Sequence, residues 1–205
     1  MADFVLGRVY RTIRFGEPIV VVSGLPRSGT SMMMGMLSAG GLPMMSDGTR
    51  AADENNPKGY FEYERVKELD KDGDKSWLKS ARGKGIKIIS FLLPHLPDTN
   101  HYRVIFMHRR MEEVIASQNR MLTVRGESSG SLSDEQIAVR YREHLNHARR
   151  LLASRRCFEV FDVSYGDVVS RPHDQAKALN HFLGGTLDVS KMAAAVDRDL
   201  HHNRT

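Results

Sequence analysis

Cysteine is all but missing from this chain. Cys157 stands alone, which excludes an internal disulfide framework and a cysteine-rich metal centre. No apolar run is long enough to cross a bilayer, and the segment from Met1 to Pro18 carries Arg8, Arg11, Arg14 and Glu17 where a secretory signal would need its apolar stretch. These absences point to a cytoplasmic protein with no membrane partner. There is no internal repeat, no low-complexity tract beyond one serine-glycine stretch, and no motif of the nucleic-acid-binding kinds. Nor is there a compact set of metal ligands; His201 and His202 read as a solvated pair near the terminus, and no metal is expected.

What is present fits one α/β domain spanning residues 1–205. With 40% apolar and 27% charged residues the chain is an ordinary globular composition, large enough to bury a core without covalent staples. The net charge of +5 is unevenly placed: Lys and Arg outnumber Asp and Glu from Lys75 to Arg125, and the reverse holds from Asp47 to Asp74. A basic middle suits an anionic ligand, although a solvated charged surface accounts for many of these side chains equally well.

The stretch Ile19-Val20-Val21-Val22-Ser23-Gly24-Leu25-Pro26-Arg27-Ser28-Gly29-Thr30-Ser31 runs from a β-branched segment through a glycine-bounded loop into the apolar run Met32-Met33-Met34. It reads as strand, phosphate loop, helix. Gly24 and Gly29 are spaced so that backbone N–H donors can wrap an anionic group while the next helix aims its positive end at the same point. The frame is that of G-x-x-x-x-G-K-[ST], but Thr30 stands in the lysine position and Arg27 is the cation of the loop. A nucleotide kinase uses that lysine on the terminal phosphates. Here Arg27 supplies the charge from inside the loop.

Along the rest of the chain, Met32 to Leu37 is apolar on every side, a helix packed between layers and stopped by Gly40-Gly41. Its methionines either fill core space or shape an adaptable pocket, with core filling favoured. Gly41 to Gly59 reads as a long irregular connection, followed by a helix from about Tyr60 to Asp70. Lys84 to Leu93 holds a second strand, broken by Pro94 and Pro97; Tyr102 to Met107 is the third, followed by a helix from about Arg110 to Leu122. Thr123 to Leu132 reads as a mobile loop or lid. Ser133 and Gln136 form a capping box that opens the longest helix, with Ile137, Tyr141, Leu145, Ala148 and Leu152 on its inner face. Cys157 to Val163 is the fourth strand, and Gln175 to Leu183 and Val189 to Leu200 are helices. Strands alternating with helices give a parallel sheet of about four to five strands with helices on both faces, a fold like that of the P-loop nucleotide hydrolases. Ligands of such sheets bind at the carboxyl ends of the strands, where Gly24 begins.

Pro26-Arg27-Ser28-Gly29-Thr30-Ser31 after a buried strand resembles the 5′-phosphosulfate loop of the sulfotransferases, which take a sulfuryl group from 3′-phosphoadenosine 5′-phosphosulfate (PAPS) and release 3′-phosphoadenosine 5′-phosphate (PAP). Arg109 and Ser117 stand in the relation of the arginine and serine that hold the donor's 3′-phosphate in that family, although Arg110 and Met111 replace the residues that usually follow the arginine. Asp162 to Asp167 resembles the family's Tyr-Glu-Asp element, which puts Tyr165 in the place of the tyrosine that contacts adenine, and Phe182-Leu183-Gly184 resembles the helix end that follows. Glu54 to Glu62 resembles an acceptor-side segment of bacterial members. The family's C-terminal Arg-Lys-Gly loop has no counterpart, so the 3′-phosphate site is expected to be more open, or completed by Arg198 or Arg204.

The resemblance implies sulfuryl transfer from PAPS to a hydroxyl or amine of a small-molecule acceptor that the sequence does not name. Two residues are candidates for the general base: His95, beyond the second strand, and Glu62, after Asn56-Pro57-Lys58-Gly59-Tyr60; Glu62 is the preferred one. Lys58 and Lys87 are candidates to stabilise the transferring group. A kinase using ATP and magnesium, with Asp162 holding the metal, and a nucleotide-binding protein that has lost its chemistry remain as alternatives.

Overall fold

The computed structural model describes residues 10–47, 61–126 and 132–196. At its centre lie four parallel strands, β1 (Ile19–Gly24), β2 (Gly85–Lys87), β3 (Tyr102–His108) and β4 (Phe158–Ser164), in the order β2-β1-β3-β4. Every residue of β1 is buried, as the unbroken Ile-Val-Val-Val run requires of a strand covered on both faces. Alternation then divides the core. Ile19, Val21, Val104 and Phe106 face one side, and Val20, Val22, Ile105 and Met107 face the other.

Helices α1 (Thr30–Ala39), α2 (Met111–Arg125), α3 (Asp134–Ser154), α4 (Tyr165–Ser170), α5 (Pro172–Leu183) and α6 (Val189–Ala194) and three 3-10 turns surround the sheet, and residues 10–15, ahead of β1, are also helical. The first face is covered by Ala148 and Leu152 of α3 and by Trp77, Leu78 and Ala81 of the turn Ser76–Ala81. The second is covered by α1, α4, α5 and α6. Met33, Met34 and Met36 are fully buried there, so the methionine run fills the core; each such side chain contributes roughly 1.5–3 kcal/mol on burial. The left-handed residue that ends α1 is Gly41, φ 98°, one position beyond the cap. Ser133 and Gln136 form the expected capping box on α3.

Several elements differ from the sequence-based expectation. The second strand is only three residues long. After Ile88 donates to the Val22 carbonyl the chain coils into a 3-10 helix, Ser90–His95, which carries Pro94 within it and buries Leu93 and Leu96 under the sheet edge. In place of a helix over Tyr60 to Asp70 there is a short 3-10 turn, Glu64–Glu68, started by Asp47 accepting from the Glu64 N–H at 2.6 Å. Its charged residues offer one buried side chain, Val66, too few for a longer amphipathic helix. Thr123, Val124 and Arg125 belong to α2, which Gly126 ends in a left-handed conformation, while the serine-glycine stretch 127–131 lies outside the described residues. α5 begins three residues early, with Pro172 at a first-turn position where a missing N–H costs nothing, and α6 stops at Ala194.

Candidate active site

The carboxyl end of β1 turns at Gly24, φ 145°, where a Cβ would lie 2.5 Å from Ser28 Oγ and 2.7 Å from the Met107 carbonyl oxygen. At the other end of the loop Gly29, φ 99°, caps α1, and a Cβ there would lie 2.5 Å from Cδ2 of Tyr165. Only glycine tolerates both the backbone conformation and the approach. Arg27 itself has φ 68°, an uncommon conformation for a residue with a side chain. The first N–H groups of α1, from Thr30 onward, have no intrahelical acceptor by virtue of their position, and α1 has no side-chain cap. Ser28 is buried and its Oγ has no partner. A strained, glycine-gated turn with helix N–H donors at its rim forms an anion cradle.

Three chain segments converge on this loop. Arg27 Nε donates to Ser117 Oγ of α2 at 2.9 Å, with Nη1 beside Met121 Sδ at 3.9 Å. Arg109, just beyond β3, donates from Nη1 to the Arg27 carbonyl at 3.1 Å and from Nε to Glu113 at 2.9 Å, and its guanidinium lies 4.1 Å from the centre of the Tyr165 ring. Glu113 also pairs with Arg110 at 2.9 Å. The Arg109 side chain is 8% exposed and that of Arg110 66%, so Arg109 is the cation built into the site and Arg110 is at its margin. Burial pushes the Tyr165 phenol upward, and the neighbouring Arg109 charge works against that shift. Arg27, Arg109, Ser117 and Tyr165, scattered in the sequence, thus make one cluster around the loop.

Beside it, at the end of β2, Lys87 Nζ lies 3.5 Å from Glu62 Oε1, with side chains 11% and 24% exposed. Phe61 precedes Glu62 with φ 50° and packs against the second core, which turns Glu62 toward the strand end. Lys58, with the rest of residues 48–60, lies outside the described residues, as do Arg198 and Arg204. His95 is exposed at the last position of the 3-10 helix that leaves β2. In its stead the structure brings two other histidines to the carboxyl edge of the sheet. His144 of α3 meets the buried Ser90 hydroxyl at 2.8 Å and stacks on Phe91 with ring centres 3.7 Å apart. Burial, with the neighbouring His147 second, holds its imidazole below the ordinary value. His108, the last residue of β3, meets Asp162 of β4 at 2.5 Å. Neither pair has a sequence signal, because the partners are 54 residues apart in both cases.

A parallel α/β sheet with a phosphate loop at the end of an inner strand defines a nucleotide- or nucleotide-sulfate-binding fold. A profile of the sulfotransferase family matches residues 84–188, just over half the chain, and the chain belongs to that family. The matched span includes Lys87, Arg109, Ser117 and Tyr165, whereas the phosphate loop precedes it. Two solved structures share the fold. The sulfotransferase domain from the curacin biosynthetic pathway aligns over 90% of this chain and 89% of its own at a TM-score of 0.51 and 15% identity. Sulfotransferase STF1 from Mycobacterium tuberculosis H37Rv aligns over 95% of this chain and 74% of its own at a TM-score of 0.53 and 15% identity. No curated protein matches the sequence. The protein is therefore a transferase of sulfuryl groups, and PAPS is the general donor of its family. The kinase reading is set aside by this membership. Among the described residues no helix is long and apolar enough to cross a membrane.

Proposed function

We propose that this protein binds PAPS across the carboxyl ends of β1, β3 and β4 and transfers its sulfuryl group to a hydroxyl or amine of a small molecule. The observation that carries the reading is the convergence of Arg27, Arg109 and Ser117 on a glycine-gated loop. The loop N–H groups and α1 receive the 5′-phosphosulfate, Arg27 supplies the cation that Thr30 does not, and Ser28 and Ser31 offer hydroxyls. Arg109 and Ser117 hold the 3′-phosphate, with Tyr165 as the flat surface for adenine; Arg109 already stacks on that ring. Pro26 and Gly24 set the turn.

In the transfer the bond from sulfur to the bridging 5′-phosphate oxygen breaks as the acceptor atom attacks in line, and PAP leaves with the electron pair on that oxygen. Lys87, which pairs with Glu62 at the neighbouring strand end, balances charge on the transferring group in this reading, a role that Lys58 would share. Charge on backbone N–H groups, Arg27 and Lys87 supports the reaction without a metal ion. A cytoplasmic location belongs to the same proposal, with Cys157 a buried free thiol pushed up to about 12 by burial first and by its contact with Asp98.

Titration calorimetry with PAP, 5′-AMP and magnesium-ATP tests the donor site. PAP is expected to bind in the micromolar range, about −8 kcal/mol, and more tightly than either competitor. Equal affinity for PAP and 5′-AMP would remove the 3′-phosphate site from the reading.

A further inference from the structure

On the sheet face opposite α1, β3 presents Val104, Phe106 and then His108, whose ring centre is 5.1 Å from that of Phe106. In register with Phe106 on β1 is Ser23, whose hydroxyl is fully buried and has no partner; on β4 it is Asp162. Met107 pairs with Gly24, so His108 stands one step past the first residue of the phosphate loop. His108 is about a quarter exposed and Asp162 two-thirds exposed, so this edge is open to a ligand from solvent. The carboxylate engages Nε2 of the ring. A carboxylate only accepts, so Nε2 is the donor of this contact and Nδ1 is the ring nitrogen left for another partner. A histidine oriented by a carboxylate, at the strand end next to the first residue of the phosphate loop, has the arrangement of a general base.

We propose that His108, oriented by Asp162, is the proton acceptor of the transfer and that the acceptor molecule enters over this face of the sheet, approaching the donor from the side away from α1. The proposal rests on the PAPS reading above. As the new bond from sulfur to the acceptor oxygen or nitrogen forms, the acceptor's proton passes to Nδ1, the old sulfur–oxygen bond breaks, and PAP departs with the bonding pair. Glu62 then serves to hold Lys87, which it meets at 3.5 Å. Asp162, which sequence alone would offer as a magnesium ligand, acts on the ring and so is a positioning residue. His144, bound to Ser90 on the other side of β1, is the competing imidazole.

Because the acceptor is unidentified, the assay uses water: release of inorganic sulfate from labelled PAPS under single turnover, with PAP affinity as the check on folding and donor binding. His108→Ala is expected to lose roughly a hundredfold or more in rate with PAP affinity unchanged, and added imidazole should restore part of the rate. Asp162→Asn should lower kcat while leaving KM for PAPS in place. A wild-type rate in His108→Ala, or a loss that imidazole does not relieve and that appears equally in His144→Asn, overturns the assignment. A wild-type protein that fails to bind PAP sinks the donor reading, and this inference with it; intact PAP binding with an unaffected His108→Ala sinks this inference alone.

Discussion

Arg109 holds the main chain of Arg27: its Nη1 donates to the Arg27 carbonyl at 3.1 Å, while Arg27 in turn donates from Nε to Ser117 at 2.9 Å. Arg109 and Ser117 are eight residues apart, about 12 Å along a helix, too far to meet directly with ease. Arg27 spans the gap. The loop cation and the two residues of the second phosphate site are therefore a single unit, and damage at one should be felt at the other.

Arg27→Ala is expected to remove a charge-assisted contact worth on the order of 2–3 kcal/mol and to weaken PAP binding by roughly a hundredfold. Because Ser117 loses its partner in the same step, Ser117→Ala should add little in the Arg27→Ala background. A double-mutant cycle on PAP affinity measures this, and simple additivity of the two losses would show that the contact is not used.

Gly29→Ala should impair the loop in two separable ways. The backbone at φ 99° disfavours any side chain, and the new methyl would meet Tyr165 at 2.5 Å. The expected cost is about 1–3 kcal/mol of unfolding free energy, with loss of PAP binding. Removing the ring relieves only the contact, so Gly29→Ala should cost less in a Tyr165→Ala background than in the wild type. Denaturant unfolding of the four proteins gives the comparison, and equal costs in both backgrounds would show that Tyr165 does not rest on Gly29.

The loop is legible because its signal is local: an apolar strand, two glycines at fixed spacing and an apolar helix follow one another within residues 19–39, and each is set by backbone conformation. The long helix α3 was legible for the same reason, through Ser133 and Gln136. Arg109, Ser117 and Tyr165 could be named only through resemblance, since nothing in their spacing says that Arg27 joins the first two or that Arg109 stacks on the third. The pairs His108–Asp162 and Ser90–His144 are long-range products of sheet order and helix packing. His95 follows the second strand in sequence, but the chain coils after β2 and leaves it exposed. Likewise the stretch from about Tyr60 to Asp70 suggests a helix, because charge and length are visible in a sequence while the shortage of buried side chains is not.

Ser133→Ala should destabilise the fold by about 1 kcal/mol, since the Ser133 hydroxyl accepts from the Gln136 N–H and the Gln136 side chain accepts from the Ser133 N–H. The loss should appear in thermal or denaturant unfolding with PAP affinity unaltered, because the capping contacts of Ser133 run to Gln136 and not to Arg27, Arg109, Ser117 or Tyr165. A large drop in PAP affinity would instead tie the start of α3 to the donor site.

His144 makes stability fall in acid, and the sign follows from its surroundings. Burial, and then the charge of His147 one turn away, favour the neutral ring, so the folded protein takes up the proton at a lower pH than the unfolded chain, which does so near the ordinary 6.5. Between those two values the unfolded state binds more protons, and stability rises with pH; the contribution is fully present above the ordinary value and is lost as pH falls through it toward the folded one. His144→Gln removes the titration and the stacking on Phe91 together. The variant should therefore melt below the wild type at about pH 8, where only the lost packing matters, and the gap between them should narrow toward about pH 5.5, where the wild type alone bears the cost of charging this ring. Melting temperatures of the two proteins across that range decide it. A gap that widens in acid would mean that the protonated ring is favoured in the fold, contrary to its burial and to its neighbour.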